Sequence, residues 1–175
     1  MREWPVFGHR WAVKQLQHAI ETSEVPHALL ITGPESVGKH TLARQLVAAM
    51  LCRAELEERP CGKCLSCRKL VSGNHPDYLE IMSSDRTAHL RIEQIREVER
   101  FLSLTPNESP CKIALVGDFE RTTIGAANAL LKTLEEPPNY VHLILLATDA
   151  DLLLPTIVST TQQLVLRPLA TQEVA

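Results

Sequence analysis

The chain has 175 residues, of which 45% are apolar and 22% charged, and its formal net charge is −3. That size and composition suit one globular domain with a real core, and the mild acidity excludes a chain-wide basic footprint for nucleic acid while leaving a local basic face open. The first residues, Arg2, Glu3 and Trp4, do not read as a signal peptide, and no apolar run nears the roughly 20 residues of a membrane span, so a soluble intracellular protein is expected.

Trp11 to Ile20 shows apolar residues at helical spacing, and Pro26 closes that segment. Ala28-Leu29-Leu30-Ile31 is a short apolar run, read as a buried strand. Gly33-Pro34-Glu35-Ser36-Val37-Gly38-Lys39-His40 follows it and opens into a helical pattern from Lys39 to Leu51. A strand, a glycine-bearing loop and a helix in that order can cradle phosphate. The glycines let backbone N–H groups converge on an anion at the helix N-terminus, a lysine reaches the outer phosphates, and a Ser/Thr hydroxyl holds Mg²⁺. Gly33, Gly38 and Lys39 are present, but His40 stands where the hydroxyl belongs. Thr41 lies about 100° further round the helix and is not a simple substitute. Phosphate binding is therefore retained on paper and Mg²⁺ binding is not, the plain alternative being a tight turn without a ligand.

Cys52, Cys61, Cys64 and Cys67 are spaced C-x8-C-x2-C-x2-C directly after that helix. Thiols this close can face one ion if the backbone turns tightly between them, and Gly62 and Ser66 suit such turns. An intracellular compartment disfavours disulfides. Tetrahedral Zn²⁺ is the expected occupant and an iron–sulfur cluster its competitor. Four thiolates leave no position for water, so such a zinc would be structural. Lys63, Arg68 and Lys69 surround the cysteines and suggest a nucleic-acid contact, although a solvated face is the better account of them. Cys111 is expected to be a small buried residue rather than a fifth ligand.

Ile92 to Leu104 has the spacing of an amphipathic helix stopped by Pro106. Lys112 to Gly117 is a continuous apolar run, as in a strand buried on both faces of a parallel sheet. Ala126 to Leu134 reads as a further helix ended by Pro137 and Pro138, and Val141 to Ala147 as a strand bounded by Thr148 and Asp149. Strands alternating with helices, with a phosphate loop after the first strand, predict an α/β doubly wound parallel sheet flanked by helices.

The run Asn128-Ala129-Leu130-Leu131-Lys132-Thr133-Leu134-Glu135-Glu136-Pro137-Pro138 resembles the AAA+ P-loop NTPase domain of bacterial DNA polymerase III clamp-loader subunits. The phosphate loop, the four cysteines inserted after its helix, and Leu154-Pro155-Thr156-Ile157-Val158-Ser159 carry the same resemblance. Asp118-Phe119-Glu120-Arg121-Thr122-Thr123 before Ala126-Ala127-Asn128, together with Asn74-His75-Pro76-Asp77, is more similar to delta-prime than to the gamma or tau motor subunits. The resemblance implies an AAA+ domain over 1–167, with a zinc module inserted at 52–67, and the start of a helical lid at 168–175, in an N-terminal fragment of a longer chain. It also implies a degenerate nucleotide site at Gly33, Gly38, Lys39, Thr41, Asp118 and Thr148, with ATP binding in question, and a cytoplasmic bacterial protein.

Measured against the motor pattern, three parts differ. The motor has an Asp-Glu pair eleven and ten residues before the asparagine of Asn-Ala-Leu-Leu-Lys; here those positions are Gly117 and Asp118. An arginine follows the serine after the third strand and reaches the neighbouring site as a finger; here Thr160 follows Ser159. A threonine cannot offer an arginine's bidentate charge, and such fingers are worth about 10³–10⁵ in rate. With His40, these departures imply a non-catalytic structural subunit in a pentameric clamp loader beside gamma or tau and delta, helping place the sliding clamp on primed DNA during replication. An active motor-type ATPase using Thr41 and Asp118 is the alternative.

Overall fold

The computed structural model describes residues 1–85 and 87–168. Its elements are α1 (Arg10–Glu21), β1 (Ala28–Thr32), α2 (Lys39–Leu51), α3 (Leu65–Val71), β2 (Tyr78–Ile81), α4 (Ile92–Ser103), β3 (Lys112–Val116), α5 (Ile124–Glu135), β4 (Val141–Ala147), α6 (Pro155–Thr160) and β5 (Gln162–Val165). The five strands form one sheet in the order β2-β3-β4-β1-β5, and every pairing is parallel. The lid expected at 168–175 lies, apart from Pro168, outside the described residues.

Side-chain alternation along the strands divides the core into two layers. Leu30, Ala114, Val116, Leu143 and Leu145 point to the face covered by α4, α5 and α6. Leu29, Ile31, Ile113, Leu115, Ile144 and Leu146 point to the face covered by α1 and α2, where Trp4 also packs. The three central strands are thus buried on both sides, which is why they read as unbroken apolar runs. Each large side chain removed from water in this way contributes about 1.5–3 kcal/mol.

The two edge strands are different. Only Ile81 of β2 and Leu164 of β5 are buried, and the sequence analysis assigned neither segment to the sheet. At the amino ends of β1 and β4, His27 and His142 stack with ring centroids 5.3 Å apart. Each ring donates from Nδ1 to a carbonyl of the other segment, His27 to Val141 O at 2.8 Å and His142 to Pro26 O at 3.0 Å.

Parallel strands place their carboxyl ends on one side of the sheet, and the loops that leave those ends converge there. The phosphate loop leaves β1, Gly117 and Asp118 leave β3, and Thr148 leaves β4. Gly33 N–H lies between Ala147 O (3.3 Å) and Thr148 O (3.2 Å), fastening the start of the loop to the end of β4.

Candidate functional site

The converging loops enclose a cleft of about 490 Å³ lined by residues of the phosphate loop, α2 and the ends of β2, β3 and β4. A larger cleft of about 1740 Å³ lies between the N-terminal segment, α1 and β5. Of the residues expected to serve phosphate, Gly38, Lys39, Thr41, Asp118 and Thr148 come together in the smaller one, and Gly33 is not among its lining.

The two glycines of the loop serve different ends. Gly38 caps α2 with φ 101° and ψ 12°, and a Cβ there would meet nothing within 4 Å. The space beside the start of α2 is therefore open, at the helix end where backbone N–H groups can receive an anion. Gly33 has φ 153°, and a Cβ on it would stand 2.5 Å from Leu166 O. Its missing side chain admits the chain leaving β5 rather than a ligand. His9 Nε2 adds a tie from the N-terminal segment to Val37 O at 3.0 Å.

Lys39 turns back on its own loop and donates to Gly33 O at 2.6 Å and Pro34 O at 2.8 Å. Burial lowers its pKa below the ordinary lysine value, against the opposing pull of Glu120, Asp118 and Glu35. Thr41 lines the cleft, so a hydroxyl is present, one residue later than the Mg²⁺ pattern places it.

His40 is committed elsewhere. Its Nε2 lies 2.5 Å from Glu80 Oε1 on β2. Glu80 also accepts from Arg44 Nε at 3.0 Å and Tyr78 OH at 2.7 Å. Burial disfavours the ionised carboxyl, but the hydrogen bonds from His40, Tyr78 and Arg44 outweigh it and hold Glu80 at about 2. An ionised acceptor means that His40 Nε2 carries the hydrogen.

At the end of β3, Met82 covers Gly117, with its Cε 3.0 Å and Cγ 3.1 Å from where a Cβ would be. Asp118 follows with φ 50°, a left-handed conformation that aspartate tolerates better than most residues. Thr148 donates its hydroxyl to Glu120 Oε1 at 3.1 Å. No sequence motif marks Glu120 as a site residue. Thr160 bonds Thr156 O at 2.7 Å within its own helix.

The four cysteines meet as expected. All four sulfurs lie within 4.8 Å of one another, with Cys52 to Cys64 and Cys61 to Cys67 each at 4.0 Å. Four sulfurs about 2.3 Å from one central ion would stand roughly 3.8 Å apart, so the cluster is compatible with tetrahedral zinc. Backbone N–H groups already point at the sulfurs: Cys61 N to Cys52 Sγ at 3.4 Å, Cys64 N to Cys61 Sγ at 3.3 Å and Cys67 N to Cys64 Sγ at 3.5 Å. Such bonds favour thiolates, and those from Lys63 and Cys64 lower Cys61 to about 6. Cys111 is buried away from this set, as expected, and burial raises it to about 11.

Asn74-His75-Pro76-Asp77 anchors the module to the sheet. His75 Nδ1 accepts from Asp77 N, so its Nε2 carries the hydrogen and donates to Ser66 Oγ at 2.8 Å, and Ser66 in turn donates to Leu51 O at 2.6 Å. Asp77 accepts the backbone N–H groups of Asn107, Glu108 and Ser109 at 2.6, 2.9 and 2.8 Å. Burial opposes its ionisation, yet those bonds and the charge of Lys112 lower its pKa below the ordinary carboxyl value. Lys69 pairs with Glu108 at 2.6 Å, which removes one charge from the basic cluster around the cysteines.

The comparisons agree with this architecture. A family model described as "DNA polymerase III, delta subunit" matches residues 8–170. The chain is 37% identical over 133 residues to DNA polymerase III subunit delta' of Pseudomonas aeruginosa, covering 76% of this chain and 40% of that protein. It is 34% identical over 152 residues to DNA polymerase III subunit gamma of Buchnera aphidicola from Schizaphis graminum, covering 87% and 41%. Among solved structures, a gamma subunit-related protein of Thermotoga maritima superposes with a TM-score of 0.63 at 29% identity, over 91% of this chain and 47% of that one. RuvB of the same organism shares the fold, with a TM-score of 0.56 at 15% identity over 92% of this chain and 45% of that one. The chain spans less than half the length of these relatives. No helix among the described residues is long and apolar enough to cross a membrane. On the family match across residues 8–170, the chain belongs to the DNA polymerase III, delta subunit family of clamp-loader proteins.

Proposed function

We propose that this chain is part of a non-catalytic structural subunit of a DNA polymerase III clamp loader, working in the bacterial cytoplasm. It assembles with gamma or tau and with delta, and the complex places the sliding clamp on primed DNA during replication. The single observation that carries this reading is the bond of His40 to Glu80, which commits the residue at the Mg²⁺ position to the second strand. Met82 over Gly117 and the internal bond of Thr160 support it from the other two departures. Phosphoryl transfer depends almost wholly on positioned charge, so a pocket without its metal ligands does not turn over even with Lys39 in place.

Cys52, Cys61, Cys64 and Cys67 would hold a structural zinc. Gly33, Gly38, Lys39, Thr41, Asp118 and Thr148 are the remains of a nucleotide site. Residues 1–167 make up the AAA+ domain.

Steady-state assay of the purified chain with ATP and Mg²⁺, alone and with gamma or tau and delta, tests the reading. No turnover attributable to this chain is expected. The presence of Thr41 and Asp118 in the cleft favours a second reading, an active motor-type ATPase. Hydrolysis that disappears in Lys39→Ala selects that one.

A further inference from the structure

Glu120 has no part in the phosphate-loop pattern, yet it occupies the cleft. It sits on a single turn, Phe119–Arg121, just after β3 and reaches across to β4. There Oε1 accepts the Thr148 hydroxyl at 3.1 Å. The other oxygen, Oε2, is buried and has no hydrogen-bond partner among the described residues. A carboxylate oxygen offers only lone pairs, so it can satisfy a cation or a donor but never a phosphate oxygen.

Lys39 gives two of its donors to the carbonyls of Gly33 and Pro34 instead of projecting outward. Lys39 and Glu120 line the same cleft, where burial lowers the lysine pKa and the charges of Glu120, Asp118 and Glu35 oppose that shift. In a phosphate loop the lysine serves the outer phosphates of a nucleotide. The Glu120 carboxylate therefore adds negative charge to the cleft that those phosphates would otherwise enter. Arg121 also lines the cleft, its Nη1 donating to Asp85 O at 3.0 Å. Glu35, Asp85, Asp118 and Glu120 all line the cleft, against Lys39 and Arg121 as its permanent cations.

We propose that Glu120 is a built-in anion of this pocket, holding negative charge in the cleft that Lys39 also lines and excluding the terminal phosphate of a nucleoside triphosphate. The proposal deepens the non-catalytic reading and rests on its placement of the phosphate loop. A carboxylate and a phosphate brought within about 4 Å in a half-buried cleft repel strongly. Neutralising Glu120 removes that repulsion and leaves Lys39, Gly38 and the N-terminus of α2 unchanged.

Calorimetric titration of the 175-residue chain with ATP and with ADP, each with and without Mg²⁺, tests it on wild type, Glu120→Gln and Glu120→Ala. Both variants are expected to bind ATP at least about tenfold more tightly than wild type. The gain for ADP, which lacks the terminal phosphate, is smaller. No gain in either variant, or an equal gain for the two nucleotides, overturns the proposal. Weaker Mg²⁺-dependent binding also overturns it and makes Glu120 a cation ligand. Because the readout is affinity, it is independent of the turnover assay, in which hydrolysis by wild type defeats the non-catalytic reading instead.

Discussion

His40 Nε2 stands 2.5 Å from Glu80 Oε1, so the first turn of the phosphate-loop helix is tied to an edge strand of the sheet. A carboxyl held at about 2 against an ordinary value of 4.5 stabilises the fold fully above the ordinary value, and that contribution is lost as the pH falls through 2. His40→Ala removes one donor and raises the Glu80 pKa towards 4.5. The variant should be less stable than wild type by about 1 kcal/mol at pH 7. The gap should close as the pH approaches 2, where both forms protonate Glu80. Urea denaturation at pH 7, 4 and 2.5 measures this, and a gap that stays constant with pH would remove Glu80 from the explanation.

Asp77 is fully buried and accepts three backbone N–H groups from the loop before β3. Asp77→Ala leaves those donors without partners in the interior. The expected loss is on the order of 3 kcal/mol or more, read as a shift in the denaturation midpoint. Asp77→Asn keeps the shape and one acceptor oxygen, and should recover part of that loss.

Gly33 and Gly38 separate a packing role from a ligand role. Gly33→Ala drives a methyl against Leu166 O and should cost about 3 kcal/mol or more in stability. Gly38→Ala meets no neighbour and should cost about 1–2 kcal/mol, from its left-handed backbone alone. Thermal melts of the two variants give the comparison. Equal losses would mean that the Leu166 contact relaxes freely.

The cysteine cluster predicts about one zinc per chain by elemental analysis. Chelation should lower the melting temperature, because metal binding to such a module is coupled to its folding. Cys64→Ser should lower both zinc content and melting temperature. Iron and sulfide in place of zinc, with visible charge-transfer absorption, would identify a cluster instead.

The parts of the fold that could be read in the sequence are those whose signal is local. Residues 113–116 and 143–147 are apolar throughout, and the limits of their strands follow from the flanking charges and prolines. Tyr78–Ile81 carries Glu80 in its middle, and Gln162–Val165 opens on two glutamines. Both are edge strands half open to water, so they lack the unbroken apolar run by which the central strands are recognised. Gly38, Lys39 and the four cysteines could be read because motif spacing places them. Glu120 could not, since its partner Thr148 is 28 residues away and no motif sets a carboxylate there. The available hint was the pair Asp118 and Glu120 flanking buried Phe119 at the end of a strand.

Helix α2 begins on Gly38 and ends on Cys52, so the nucleotide-type cleft and the metal cluster are mounted on opposite tips of one rod. Thirteen helical residues make that rod about 20 Å long. An ion bound at the far tip is beyond the reach of any substrate at the near one. A zinc held by those four sulfurs would take no part in chemistry at the cleft and would only stiffen the mounting of the helix.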